Sequence, residues 1–409
     1  MNLPNKKKII NDPVYGFVNI PFELIYDLIE HSWFQRLRRI KQLGLSYLVY
    51  PGAQHTRFQH VIGAMSLTFQ AVEILKSKGI EISNHEAESV CAAILLHDMG
   101  HGPFSHTLEG LIIENVPHEA ISLRFMELLN EQFEGKLTTA IEIFTNKYSK
   151  KFLHQLVSSQ LDMDRLDYLR RDSFYSGVQE GTIGHDRIIN MLNVVNDELV
   201  IEEKGIYSVE KFLIARRLMY WQVYLHKTVV AAEQLLIKIM QRAKLLAGQN
   251  IDLFATPALH YFLYNKIDKN TFNSSKEAIK NYALLDDDDI SASIKVWCKN
   301  DDKILSILCK MLINRNLPKI LLQNEAFDKT LLESYKFMAA DNLEITMDEA
   351  NYFVFTNSVQ NKAYSANNFH INILFKNGNV LDIADASDQY NIESLTKTVK
   401  KYFLCFVRE

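Results

Sequence analysis

Leu95-Leu96-His97-Asp98-Met99-Gly100-His101-Gly102-Pro103-Phe104-Ser105-His106 is the stretch on which the reading of this chain turns. The apolar run Cys91–Leu96 ends abruptly in His-Asp. Two glycines and a proline then stop the helix, and two more histidines stand among them. Three imidazoles and a carboxylate thus crowd into ten residues. A structural protein has little use for such donors, whereas a metal-dependent hydrolase has a clear one.

Upstream, Ser83-Asn84-His85-Glu86 has capping-box spacing and opens the helix that ends at His97-Asp98. An earlier helix is expected from Thr56 to Glu73, with His60, Gly63, Ala64, Leu67 and Ala71 on one face. The small Gly63 and Ala64 predict close approach of a neighbouring backbone. Downstream, Asp164, Asp167, Tyr168, Arg171 and Asp172 recur in helical register. That stripe reads equally as a wet helix face and as an inward functional one. Together His60, His97, Asp98 and Asp164 offer two imidazoles and two carboxylates from three helices, a mixed site for Mn, Fe, Zn, Ni or Mg. Four protein ligands on an ion that prefers six leave room for water and substrate. Such an ion lowers the pKa of a water and polarises a phosphoryl oxygen.

The rest of the chain reads as mainly α. Gly16–Ile20 is a short strand or hairpin arm, and Phe22–Ile40 is helical and arginine-rich. A hairpin is expected over 194–206 with Glu202–Gly205 as its turn, and one long aromatic and basic helix over 208–247. Asp286–Asp289 reads as a solvated loop or helix start. From residue 351 the texture changes. Tyr352–Phe355, Ile371–Phe375 and Val380–Ile383 read as strands, with Asn377-Gly378 as a hairpin turn and a final helix over Ile392–Tyr402. The expected organisation is a helical core over 1–245, a helical extension over 246–345 and a small C-terminal α+β appendage over 346–409.

At 409 residues, 47% hydrophobic and 23% charged, this is an ordinary globular composition. A net charge of −4 argues against a general nucleic-acid binder. The four cysteines, Cys91, Cys298, Cys309 and Cys405, lack CxxC spacing and read as reduced thiols. No apolar run approaches the about 18 residues of a membrane span. Lys6-Lys7-Lys8 is not followed by the apolar segment of a signal peptide, so a cytoplasmic protein is expected.

His60, His97-Asp98 and Asp164 match the H…HD…D signature of the HD-domain phosphohydrolases. With Arg57–His60, His97–His106 and Asp162–Tyr168, the chain resembles the deoxynucleoside triphosphate triphosphohydrolases, above all the HD core of the SAM-and-HD-domain enzymes and their bacterial relatives. The likeness runs from Lys8 to Lys227 and more weakly into the C-terminal α+β piece, and no SAM domain is expected before residue 8. It implies an HD-domain helical core and cleavage of a dNTP to deoxynucleoside and inorganic triphosphate, by attack of metal-activated water on the α-phosphorus. By the same likeness His60, His97, Asp98 and Asp164 hold the metal. His101, His106 and His118 surround the phosphates; His106 is the general acid and Glu109 holds its other ring nitrogen, where the family more often has aspartate. Gln42, Leu43, Arg57, Arg165, Tyr168, Asp172, Arg216 and Tyr224 fall where the family contacts triphosphate and sugar. Lys8, Asn11, Glu30, Gln35 and Arg38 resemble a guanine-nucleotide activator site between subunits of a dimer or tetramer.

Two rivals stand beside this reading. One is an HD phosphohydrolase of another nucleotide, a mono- or diphosphate or an alarmone; alarmone hydrolases carry Glu-Asp shortly after the HD pair, where Met99-Gly100-His101 stands here. The other is a nucleotide-sensing oligomer with a vestigial site, which the complete ligand set disfavours.

Overall fold

In the computed structural model, which describes residues 8–361, 364, 370–388 and 398–407, the fold is mainly α with small sheets. Three helices carry the chemistry. Arg57–Ser77 packs against both Asn84–Leu96 and Met163–Ser176. Asn84–Leu96 starts as its capping box dictates: Ser83 Oγ accepts from the Glu86 N–H at 3.2 Å, and Glu86 Oε2 accepts from the Ser83 N–H at 2.8 Å. From Val90 to Leu96 every residue is buried, which is the expected fate of a helix apolar on all sides. Thr56 and Gln59 form a second capping box at the start of Arg57–Ser77.

The small face of Arg57–Ser77 makes room for polar side chains. The atoms nearest Gly63 are those of side chains. A Cβ there would meet Asp167 Oδ1 at 2.0 Å and Arg171 Nη2 at 2.2 Å. The polar stripe of Met163–Ser176 accordingly faces inward, with Asp167, Arg171 and Asp172 all buried.

Several expectations are corrected. The hairpin pairs Leu192–Val195 with Glu198–Glu202 through Asn196-Asp197, both at positive φ (51° and 65°). That is the two-residue turn these side chains tolerate best, and Glu203–Gly205 instead begins the helix Ile206–Met219. The long helix over 208–247 is interrupted by a wide π-helical turn at Tyr220–Tyr224, and a new helix, Lys227–Gly248, starts after His226. Asp286 caps the helix Asp287–Trp297, as a helix start requires, but the run is solvated only in part: Asp286 and Asp287 are buried, while Asp288 is exposed. The Asp287 carboxylate accepts the Lys41 N–H at 2.9 Å and the Phe104 N–H at 2.7 Å, and Asp286 pairs with Arg39 Nε at 2.5 Å.

In the C-terminal region, Glu349–Tyr352 is a 3-10 turn and the strand begins later, at Phe355–Asn361. Val399–Phe406, which includes the end of the expected final helix, is the central strand of a three-stranded antiparallel sheet. Pairing on both sides and the aromatic-rich stretch Tyr402–Phe406 outweigh helix propensity there; residues 392–397 lie outside the described residues. One neighbour, Lys319–Gln323, falls in a stretch expected to be helical. The Asn377-Gly378 turn joins Asn372–Leu374 to Val380–Asp382, with Gly378 at φ 87°. Asn372–Leu374 also runs parallel to Glu198–Glu202, so residues 192–202 and 372–382 share one sheet. All four cysteines are free. Among the described residues no helix is long and apolar enough to cross a membrane.

Gly63→Ala forces a methyl into the space held by Asp167 and Arg171. Overpacking of this kind costs about 1–3 kcal/mol, so the urea midpoint should fall with an unchanged slope; an unaltered midpoint would contradict the packing described.

Candidate active site

The two helix-borne imidazoles are held by their Nδ1 atoms. His60 Nδ1 lies 2.7 Å from Asp167 Oδ2, and His97 Nδ1 lies 2.6 Å from the Ile94 carbonyl. Both partners only accept, so Nδ1 carries a hydrogen in each ring and Nε2 is the atom left for a ligand. Both Nε2 atoms are buried without a hydrogen-bond partner. Such orphans are rare and call for a ligand. Asp164 Oδ1 stands 3.1 Å from His60 Nε2 and 3.6 Å from His97 Nε2, so His60, His97 and Asp164 each bring a donor within 4.8 Å of the others. Asp98 closes the set, Oδ1 3.3 Å from His97 Nε2 and Oδ2 3.7 Å from His60 Nε2, while Arg57 pairs with Oδ2. Two neutral-capable imidazoles and two carboxylates fit a divalent ion.

The charges agree. Burial works to lower the His60 imidazole, but Asp164 and Asp167 push it up to about 10. Burial works to raise the Asp98 carboxyl, yet His97, Arg57 and His101 hold it well below the carboxylate range. The pocket favours positive charge between the rings.

A second cluster lies beside the first. Glu109 Oε2 is 2.9 Å from His106 Nδ1, and Glu109 Oε1 is 2.9 Å from His118 Nδ1 and 2.8 Å from the His118 N–H. Burial opposes ionisation of Glu109, but these partners hold its carboxyl far below its usual range, so it accepts from both rings and leaves each Nε2 free. His101 stacks on His118 at 3.7 Å between centroids and stands 3.4 Å from Asp98 Oδ1. Burial, with Arg57 nearby, pushes His101 well down, so it is neutral.

Both clusters open onto a cavity of about 460 Å³. Its walls include Asp98, Asp164, His101, His106 and His118. All eight residues expected at the substrate, Gln42, Leu43, Arg57, Arg165, Tyr168, Asp172, Arg216 and Tyr224, line it too. Arg216 Nε and Nη1 are buried without partners. Asp172 is fixed by His55 at 2.7 Å and by the Tyr224 hydroxyl, which donates at 2.8 Å.

Residues 183–254 match the model of the HD associated region. A crystal structure of a phosphohydrolase from Bacteroides thetaiotaomicron is similar at 55% identity, covering 98% of this chain and 100% of that one, with a TM-score of 0.96. The uncharacterized Bacillus subtilis protein YwfO is 36% identical over 328 residues, 78% of this chain and 73% of YwfO. A Dictyostelium discoideum deoxynucleoside triphosphate triphosphohydrolase SAMHD1 homolog is 31% identical over 239 residues, 54% of this chain and 46% of that relative. The chain belongs to the HD-domain phosphohydrolases. Metal-dependent phosphohydrolysis comes with that family.

The residues expected at an activator site stand apart from the cavity of this HD phosphohydrolase. Lys8, Asn11, Glu30 and Arg38 are exposed; the Lys8 ammonium lies over the Tyr26 ring, and Arg38 lies over Phe58 and donates to Gln35 at 2.7 Å. Other cavity residues escaped the sequence. Tyr220 and Leu225 arrive through the π-helical turn, which no glycine or proline announces. Glu233 and its partner Thr107 come from segments far apart in the chain.

Burial pushes the Glu233 carboxyl up to about 7. An unfolded glutamate loses its proton near about 4.3. Between those values the unfolded chain binds fewer protons than the folded one, so this group subtracts stability as pH rises. Glu233→Gln should therefore raise the unfolding temperature relative to wild type at pH 8 and not at pH 4. Equal shifts at both pH values in a thermal melt would contradict the assignment.

Proposed function

We propose that this HD phosphohydrolase is a dNTP triphosphohydrolase that releases a deoxynucleoside and inorganic triphosphate through attack of water on the α-phosphorus. The observation that carries the reading is one cavity whose walls hold the metal-type carboxylates Asp98 and Asp164, three imidazoles, and Arg57, Arg165 and Arg216. Its volume of about 460 Å³ lies in the range of small-molecule sites, about 300–1,000 Å³. Guanidinium forks suit a polyphosphate, and the partnerless Arg216 atoms support an anion beside them.

His60, His97, Asp98 and Asp164 would hold a divalent ion, which supplies a more acidic water and a polarised phosphoryl oxygen when bound. Arg216 and Arg165 neutralise charge on the polyphosphate. His106, oriented through Nδ1 by Glu109, gives a proton to the departing 5′-oxygen. Tyr168 and Tyr224 stand edge to face at 6.2 Å, and burial pushes both phenols up, so they remain neutral. The face of one ring would pack on a deoxyribose too closely for a 2′-hydroxyl, with Gln42 and Leu43 on the sugar's other side. A guanine nucleotide bound at Lys8, Asn11, Glu30, Gln35 and Arg38 of a homo-oligomer would be the activator. The free cysteines support a reducing, cytoplasmic setting.

The test uses Mn²⁺ and each dNTP, with and without GTP, in ¹⁸O-labelled water. The expected products are unphosphorylated deoxynucleoside and triphosphate carrying the label. Stepwise release of orthophosphate, or label in the nucleoside, would overturn the reading.

A further inference from the structure

The N-terminal hairpin reaches the metal-type centre through an unbroken line of buried charge. Ile9–Asp12 pairs with Gly16–Asn19, and Asp12 closes the hairpin. Its Oδ1 accepts the Val14 N–H at 2.9 Å and the Tyr15 N–H at 3.0 Å. Its Oδ2 accepts from Arg171 Nη1 at 2.7 Å. Arg171 then grips Asp167 with two parallel bonds, Nε to Oδ2 and Nη2 to Oδ1, both 2.9 Å. Asp167 Oδ2 in turn takes the His60 Nδ1 hydrogen at 2.7 Å. Asp12 is 5% exposed, and Arg171, Asp167 and His60 are fully buried. The absence of a side chain at Gly63 makes the passage for Asp167 and Arg171. Tyr15 covers the line, its ring centroid 5.5 Å from the Arg171 guanidinium.

A buried guanidinium with one carboxylate partner would neutralise it. With two, the Asp12–Arg171–Asp167 unit keeps one net negative charge directly behind the His60 ring. That charge makes His60 a better donor, and the bidentate grip fixes the plane of Asp167 and hence the direction of Nε2. We infer that Asp12 is a positioning residue for the metal centre: by pairing with Arg171 from the N-terminal hairpin, it orients and charges Asp167, which sets His60 for the ion. The inference rests on the metal reading of His60, His97, Asp98 and Asp164.

Asp12→Asn separates the two jobs of this side chain. The amide oxygen can still accept from Val14 and Tyr15, while the amide nitrogen faces Arg171 as a donor and loses the pair. Mn²⁺ affinity of the full chain, followed by electron paramagnetic resonance of the free ion, should fall about tenfold, the lower end for outer partners of metal-ligating histidines. Asp12→Glu keeps the charge and should stay within about threefold of wild type, and it carries the test should Asp12→Asn not fold. Wild-type-like affinity in Asp12→Asn, or a loss in folded Asp12→Glu as large as that expected of Asp12→Asn, would overturn the inference alone. A wild-type chain that binds no Mn²⁺ would overturn the metal reading with it.

Discussion

Two imidazole nitrogens buried without partners impose the constraint on which this structure depends. His60 Nε2 and His97 Nε2 both face Asp164 Oδ1, at 3.1 and 3.6 Å, and neither finds a hydrogen bond. Buried polar atoms are tolerated in that state only where something completes them. Everything around the pair serves to keep it so. Asp167 and the Ile94 carbonyl hold the far ring nitrogens, Arg57 holds Asp98, and the apolar helix Asn84–Leu96 delivers His97 to the spot by ending there.

Arg36 and residues 282–287 brace the same loop. Arg36 donates to the Met99 carbonyl at 2.7 Å and to the Leu285 carbonyl at 2.9 Å, and Tyr282 donates to the Gly100 carbonyl at 2.8 Å. Asp287 then ties Phe104 to Lys41. The histidine loop is thus pinned at Met99, Gly100 and Phe104 by groups distant in the chain. This explains how a stretch with two glycines can hold three imidazoles in fixed relation. Gly100 is needed for a separate reason: a Cβ would sit 2.1 Å from the His118 carbonyl, so the loop and the helix His118–Gln132 approach through it.

What the sequence made legible was local. The Ser83–Glu86 cap, the His-Asp helix end and the helical beat of Asp164, Asp167 and Arg171 depend on near neighbours, and the structure reproduces them. All eight substrate-side residues named from family likeness line one cavity. What escaped depends on partners far away. The tenant of the Gly63 hollow, the burial of Asp286 and Asp287, and the link from Asp12 to His60 each need a residue at least 100 positions distant. Val399–Tyr402 reads as the end of a helix until two strands flank it, and the π-helical turn at Tyr220–Tyr224 carries no breaker residue. The wet-face reading of the Asp164–Asp172 stripe failed for the same reason: charge faces inward when other buried charges meet it.

The central claim is that His60, His97, Asp98 and Asp164 form one metal centre at the cavity wall. Anomalous diffraction from crystals soaked in Mn²⁺ addresses it most directly. A single strong peak within coordination distance of His60 Nε2 and His97 Nε2, flanked by Asp98 and Asp164, is the predicted result. A peak only among His101, His106 and His118, or none within reach of His60, would contradict it.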